Sequence, residues 1–398
     1  MNKYDIVVII PSYFPGPVVQ NVINTVDLGL TKYFPDKKNL IVIVDSSDLH
    51  TKNLIISSCK DIVNNSNCIF SSKRITKGSA IFKGFLVAAR CSAKAVLMVD
   101  SDLKSISPEW INIFLKPIID QRVDFVGPKY IRDKYDSLIT NHIIYPFFEA
   151  KLKCKLRQPI GGEFAFSEKL LNFYMQKKSF HDEVYRFGID VWLSFTAVVN
   201  NFKISQVYLG TKNHGVTIKN PTRPEESLGT MFLEVTKTLF DLLVYYEKNC
   251  EKILSEINVV EPNKPINKKP VPVLADFDNL WSTFLRLYPK YSSDYTEILG
   301  SKLKRQIENI YSYKVENKSF NVKLWAIILN QYLEYYKKAK TESAKKQIIH
   351  SLLPLYFGRI ACYVLEVEKL EPVEVEKKIQ SDVIIFGKEV SLGFNDHV

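Results

Sequence analysis

The 398-residue chain contains no CxxC pair, no internal repeat, no block of like charge and no glycine-rich loop behind its first apolar run. Its six cysteines stand scattered at 59, 68, 91, 154, 250 and 362, a spacing that suggests neither a zinc site nor a disulfide framework. The apolar runs are short and β-branched, below the roughly 18 residues that span a bilayer. The start, Met1-Asn2-Lys3-Tyr4-Asp5, runs straight into Ile6–Ile10, which is too short for a secretory h-region and has no small-residue cleavage site. These absences lead us to expect a reduced, cytoplasmic protein with no stable membrane insertion. Lys and Arg number 54 against 43 Asp and Glu, a net charge of +11. Because the lysines are spread along the chain, they read as a solvated surface, with an anionic small substrate left open and nucleic acid not expected.

What is present is globular: 46% hydrophobic and 24% charged residues, over a length that suits two domains. Asp5–Ile10, apolar from Ile6 onward, and Leu40–Val44 read as strands with a helix, Val18–Leu30, between them. Helix Lys77–Cys91, strand Ala95–Val99, helix Pro108–Ile119 capped by Ser107, and strand Val123–Val126 continue the alternation. Doubly buried strands joined by helices specify a mainly parallel α/β sheet with right-handed crossovers. Three strands stop in polar loops, at 11–14, 45–48 and 100–102, and ligands bind at the carboxyl ends of such strands. A further strand is expected at Val207–Leu209, one long amphipathic helix over Ser227–Ile257, and a late strand at Val383–Phe386. The resulting division is an α/β domain over 1–257, a Pro/Lys-rich linker over 258–275, and an α-helical domain over 276–398.

Asp100-Ser101-Asp102 follows an apolar strand directly, so both carboxylates can turn toward one hard cation such as Mg²⁺ or Mn²⁺. The same pair could instead cap the next helix. Lys77-Gly78 offers a phosphate-holding charge at a helix N-terminus. Gln158-Pro159-Ile160-Gly161-Gly162-Glu163 reads as a turn with close backbone approach, Glu163 being a candidate acceptor for sugar hydroxyls. Asp190 leads into an apolar helix and is either functional or a cap. His214 gains interest only if it completes a metal shell begun by Asp102.

In this order, with Pro11-Ser12-Tyr13 and Asp45-Ser46-Ser47-Asp48 ahead of them, the motifs over roughly 4–215 resemble the GT-A-fold retaining glycosyltransferases of the glucosylglycerate, mannosylglycerate and glucosyl-3-phosphoglycerate synthase group. Leu353-Pro354-Leu355-Tyr356-Phe357-Gly358-Arg359 looks like the helical tail of the same long-form enzymes. The resemblance implies transfer of glucose or mannose from a nucleoside-diphosphate sugar to D-glycerate, or to 3-phosphoglycerate. It implies that Asp102 and His214 bind the metal, and that Pro11, Tyr13, Asp45, Lys77 and Asp100 bind the donor. Gly162, Glu163 and Asp190 would serve catalysis at the transferred sugar. Arg132, Thr140 and Ile160 would bind the acceptor, the Arg fork suiting a carboxylate. No covalent nucleophile is expected. Phe14-Pro15-Gly16-Pro17 stands where such enzymes usually carry an acidic or amide residue, which leaves the donor base open. A phosphorylated acceptor would call on Lys129, Arg132, Lys134, Lys219 and Arg223.

Three other readings compete. A polyprenyl-phosphate or glycan acceptor would need an apolar surface, for which the aromatic segment Leu324, Trp325, Ile328, Tyr332, Tyr335 and Tyr336 is a candidate, although a bundle core or a homodimer interface accounts for it as well. A nucleotidyltransferase should have the glycine-rich loop that is missing. A non-catalytic nucleotide-sugar binder should have lost the acidic pair and the histidine, all of which are present.

Overall fold

The computed structural model describes residues 2–177, 181–215, 222–264, 269–312 and 320–391. Contacts group the chain into two compact units, and both are discontinuous in sequence. The first comprises Met1–Arg132, Cys154–Gly215 and Glu256–Val271; the second comprises Asp133–Lys153, Val216–Ser255 and Pro272–Val398.

The first unit is built on one eight-stranded sheet of order β3-β2-β1-β4-β6-β5-β7-β8. Its first half contains β1 (Ile6–Ser12), α1 (Val18–Tyr33), β2 (Asn39–Asp45), α2 (Leu49–Asp61), β3 (Asn65–Phe70), α3 (Lys77–Arg90), β4 (Ala95–Met98), α4 (Pro108–Ile119) and β5 (Phe125–Ile131). Strands β3, β2, β1 and β4 pair in parallel. Ile6, Val8, Ile10, Ile41, Ile43 and Leu97 pack against Val22, Val26 and Leu30 of α1 and Trp110, Phe114 and Leu115 of α4. Val7 and Ile9, on the opposite face of β1, are equally buried, Ile9 lying under α3. Apolar residues on both faces are what a sheet covered by helices on each side demands. Ser107 sits at the N-cap of α4 with extended backbone, but its hydroxyl makes no capping bond. Asp48 does cap α2, accepting from the Thr51 amide.

After α5 (Tyr145–Leu152), which belongs to the second unit, come β6 (Phe164–Ser167), α6 (Glu168–Gln176), α7 (Ile189–Val199) and β7 (Ile204–Thr211). Strand β6 runs antiparallel to both of its neighbours, β4 and β5. Its first residue, Phe164, therefore pairs with the last residue of β4, Met98. This reversal was not visible in the sequence, and it matters for the site below.

The long helix expected over 227–257 is α8 (Leu228–Tyr245) followed by the short α9 (Glu247–Glu251). The expected linker is not a free tether. Val259–Val260 forms β8, parallel to β7, and Glu261 accepts from Lys129, Gln206 and Tyr208. Val259–Val260 thus completes the sheet, and the grouping of 256–271 with it and of 133–153 and 216–255 with the helices does not follow the three-part division at 257 and 275.

The second unit holds α10 (Phe277–Leu287), α11 (Ser292–Ser312), α12 (Val322–Lys338), α13 (Glu342–Val367) and α14 (Pro372–Ser391) beside α5, α8 and α9. The strand expected at Val383–Phe386 is a part of α14. Val383 and Phe386 are buried and three apart, which is helical spacing rather than alternation. Leu324, Trp325, Ile328, Tyr332 and Tyr336 are all buried, so the aromatic segment is the core of this unit. Arg359, wholly buried in α13, forms an ion pair with Glu366. Among the described residues α13 alone is long and apolar enough to cross a membrane by composition, which the run-length reading missed; 89% of its most apolar window is buried inside the structure.

Candidate active site at the carboxyl edge of the sheet

The carboxyl ends of β1, β2, β4, β5 and β7 and the amino ends of α3 and α7 supply the site, all from the first unit. At β1 and β2 the Asp45 carboxylate accepts from the Ser12 hydroxyl at 2.6 Å, the Ser47 hydroxyl at 2.7 Å and the Ser47 amide at 3.0 Å. With 1% exposure, it is a brace for the two strand ends rather than an open ligand for a nucleotide. Pro11 is likewise buried within β1. Tyr13 is exposed, and the Arg74 guanidinium lies 4.8 Å from its ring centroid. Phe14 packs edge-on against Tyr13, and its amide donates to Ser47 at 2.7 Å. An exposed aromatic pair backed by a cation, at the edge where nucleotides bind, suits a nucleobase.

Six ionisable side chains meet beyond β4. Lys77 Nζ lies 3.0 Å from Asp100 Oδ1 and 3.0 Å from Asp190 Oδ2. Lys212 Nζ lies 2.8 Å from Glu163 Oε2 and 3.6 Å from Asp100 Oδ2, and donates to the Gly161 carbonyl at 2.7 Å. The Tyr130 hydroxyl donates to Glu163 at 2.6 Å. Glu163 reaches Asp100 because it immediately precedes the antiparallel β6, whose start lies beside the end of β4. Gly162 sits between them at φ +94°, and a Cβ there would fall 2.4 Å from Asp100 Oδ2 and 2.9 Å from Lys212 Nζ. Only glycine lets the backbone pass at that distance.

The electrostatics follow from burial and pairing. Burial pushes Glu163 up, and although the Lys212 ammonium opposes this, its carboxyl is raised to about 7. For Asp100, burial works upward, but Lys77 and Lys212 overcome it and hold the carboxylate well below its ordinary range. Lys77 is the converse: burial works against its charge, and Asp100 and Asp190 raise it well above the usual lysine value. Asp190 is raised by burial despite Lys77. Its Oδ1 is buried and has no hydrogen-bond partner, a state that costs about 1–3 kcal/mol for a polar group until a donor arrives. Three carboxyl groups thus face two ammonium groups.

Asp102 stands apart from this cluster. Its Oδ2 accepts the Gly215 amide at 3.0 Å, which brings it beside the residue after His214. His214 Nε2 lies 3.5 Å from Arg132 Nη2, and the Arg132 guanidinium lies 5.9 Å from the Tyr130 ring centroid. Carboxylate oxygen and imidazole nitrogen are donors that Mg²⁺ or Mn²⁺ accepts. Ile160 is half-buried, in the turn before Gly161. Thr140 belongs to the second unit, where it is buried and opens a π-helical turn, Thr140–Ile144. Lys219 lies outside the described residues. Lys212 and Tyr130 were not singled out from the sequence. The signal for Lys212 was slight: a lysine directly after an apolar strand, two residues before His214.

No protein-family model and no curated protein matches the chain. Among solved structures it is similar to glucosyl-3-phosphoglycerate synthase from Mycobacterium tuberculosis in complex with Mn²⁺, UDP and glucosyl-3-phosphoglycerate, with 22% identity, 60% of this chain and 80% of that one covered, and a TM-score of 0.47. The same enzyme with phosphoglyceric acid aligns at 21% identity over 62% of this chain and 80% of that one, with a TM-score of 0.47. Mannosyl-3-phosphoglycerate synthase from Rubrobacter xylanophilus aligns at 17% identity over 62% and 76%, with a TM-score of 0.45.

Proposed function

We propose that this chain is a metal-dependent glycosyltransferase that moves a hexose, with retention, from a nucleoside-diphosphate sugar to a small 2-hydroxy carboxylate, D-glycerate being the acceptor that its residues suit. The reading rests on one observation above all: a buried carboxylate oxygen without a partner, Asp190 Oδ1, at the carboxyl edge of an α/β sheet. A sugar hydroxyl is a donor of the size and polarity that satisfies it. Asp190 lies in the first turn of α7, where the helix dipole favours a carboxylate, and Lys77 fixes its other oxygen.

Each remaining role follows from a named contact. Tyr13 stacks the base, with Arg74 behind it, and Asp45 holds the loop that carries Tyr13. Asp102 and His214 are the residues that would hold Mg²⁺ or Mn²⁺, which supplies charge neutralisation on a departing diphosphate. Lys77 holds Asp100 and Asp190 in fixed orientations. Lys212 and Tyr130 fix Glu163, so the wall facing the sugar is set before the substrate arrives. Arg132 offers its guanidinium to the acceptor carboxylate. No side chain is assigned as a covalent nucleophile; positioning of donor and acceptor is the contribution of the protein.

A free carboxylate acceptor is favoured over a phosphorylated one because three of the cations considered for a phosphate, Lys129, Lys134 and Arg223, have partners of their own. Lys129 pairs with Glu261 at 2.7 Å, Lys134 donates to the Val367 and Glu368 carbonyls, and Arg223 pairs with Glu226 at 3.3 Å.

The test is product formation by the purified chain with Mg²⁺ or Mn²⁺, crossing UDP-, GDP- and ADP-glucose and GDP-mannose with D-glycerate, 3-phosphoglycerate and no acceptor. Metal-dependent release of nucleoside diphosphate that requires D-glycerate is the expected result. Release only with 3-phosphoglycerate would correct the acceptor, and silence throughout would overturn the reading.

A further inference from the structure

The scattered cysteines are not all apart in space. Cys59, near the end of α2, and Cys68, in β3, place their Sγ atoms 3.3 Å apart. Both are free thiols and both are only half-buried, whereas Cys91, Cys154 and Cys362 are buried. A disulfide needs about 2.05 Å between sulfurs, so closing the pair asks for a shift of little more than an ångström. Strand β3 is at the edge of the sheet, where among the described residues it pairs with β2 alone.

We propose that Cys59 and Cys68 are a reversible dithiol–disulfide site, closed by a small organic disulfide and tethering α2 to the edge strand β3. The chemistry balances by exchange. The Cys59 thiolate attacks one sulfur of the small disulfide, forming a mixed disulfide and releasing one thiol. Cys68 gives its proton to solvent and attacks Cys59 Sγ, releasing the second thiol. The two cysteines lose two electrons and two protons, and the small disulfide is reduced to two thiols. The two thiols share one hydrogen bond, in which either sulfur can donate. With Cys59 accepting, that bond lowers its thiol to about 7 against the pull of burial, with Ser66 assisting. Cys68 is correspondingly raised, first by that same bond and then by burial. Cys59 is thus the nucleophile near neutral pH and Cys68 the resolving group.

The position gives the bond something to act on. Phe70, two residues beyond Cys68, is paired with Asp45, and the Ser71 amide donates to the Asp45 carbonyl at 3.0 Å. Asp45 is the brace of the strand ends that carry Tyr13. A tether at Cys68 therefore pulls on the strand that supports that brace.

The experiment uses the full chain, reduced, then equilibrated with glutathione couples of rising disulfide fraction, quenched by alkylation and mapped by peptide mass. An internal 59–68 link, lighter by two hydrogens and reversed by dithiothreitol, should appear while Cys91, Cys154 and Cys362 remain free. Cys68→Ser should instead accumulate a glutathione adduct on Cys59. In guanidinium the yield of the internal link should fall on the order of tenfold, because the pair is then held only by its loop. Full alkylation of both cysteines at the oxidising end, stable glutathione adducts on the unaltered chain, or equal yields with and without denaturant would each overturn the proposal.

Discussion

Glu163 is the residue whose charge state the site controls most directly. It has no solvent exposure, and burial raises its carboxyl from the usual 4.5 to about 7. Between those two values the folded chain binds a proton that the unfolded chain has lost, so this group removes stability as pH rises through that window. Glu163→Gln keeps an acceptor for Tyr130 and Lys212 but cannot titrate. Thermal melts at pH 5 and pH 8 should therefore show a smaller loss of Tm in Glu163→Gln than in the unaltered chain; an equal or larger loss would mean that Glu163 is ionised throughout. Asp102 makes the complementary case. Its one described bond is to a backbone amide, so its removal should spare the fold. Asp102→Ala should lose on the order of 10³-fold in turnover with its melting temperature little changed. Asp100, Asp102 and His214 could be picked out in the sequence because polar residues at strand ends stand out from apolar runs, but the sequence did not show that Asp100 turns to Lys77 and Lys212 while Asp102 turns to the Gly215 amide. Lys212 and Tyr130 could not be picked out, since their part depends on β6 running backwards, and no local pattern encodes a strand's direction.

At the scale of elements, α3 shows how a helix start can be fixed by its neighbour. The Gly78 amide donates to the Arg186 carbonyl at 3.2 Å, and the Thr76 hydroxyl donates to the Tyr185 carbonyl. A Cβ on Gly78 would lie 2.1 Å from the Val184 carbonyl oxygen and 2.7 Å from Tyr185 Cα, backbone atoms that cannot turn aside. Gly78→Ala should therefore cost about 1–3 kcal/mol by overpacking, although alanine is the better helix former by roughly 1 kcal/mol. Gly387 in α14 has nothing within 4 Å of such a Cβ, so Gly387→Ala should be neutral or stabilising. Urea denaturation of the two variants decides it. Pro108–Ile119 was readable from the sequence at both ends, and Lys77–Cys91 and Leu40–Val44 to within a residue, but Val18–Leu30 stops three residues short of the end of α1 and Val123–Val126 five short of the end of β5. The failures are instructive. Asn65–Phe70 opens with three polar residues and is only half-buried, as an edge strand is, so its apolar run, Cys68-Ile69-Phe70, is too short to signal a strand. Val383–Phe386 offered four apolar or aromatic residues in a row, which a short window cannot assign to strand or helix.

Over the whole molecule, the division into units is the feature that sequence reading drew along other lines. Composition suggested a break in the Pro/Lys-rich stretch near 258–275, yet part of that stretch supplies β8 and the Glu261 contacts. A chain cut at 275 would keep 133–153 and 216–255 without α10–α14, against which α5 and α8 bury Phe147, Phe232 and Phe240. The 1–275 fragment should therefore be insoluble or melt without cooperativity, as measured by sedimentation and calorimetry; a soluble fragment with a sharp transition would show the sheet unit to be autonomous. The path crosses from one unit to the other after 132, 153, 215, 255 and 271, five times in all. A module joined to an ancestor by tail-to-head gene fusion leaves a single crossing. An interleaved path of this kind has no single peptide bond at which one unit could be exchanged and the other kept.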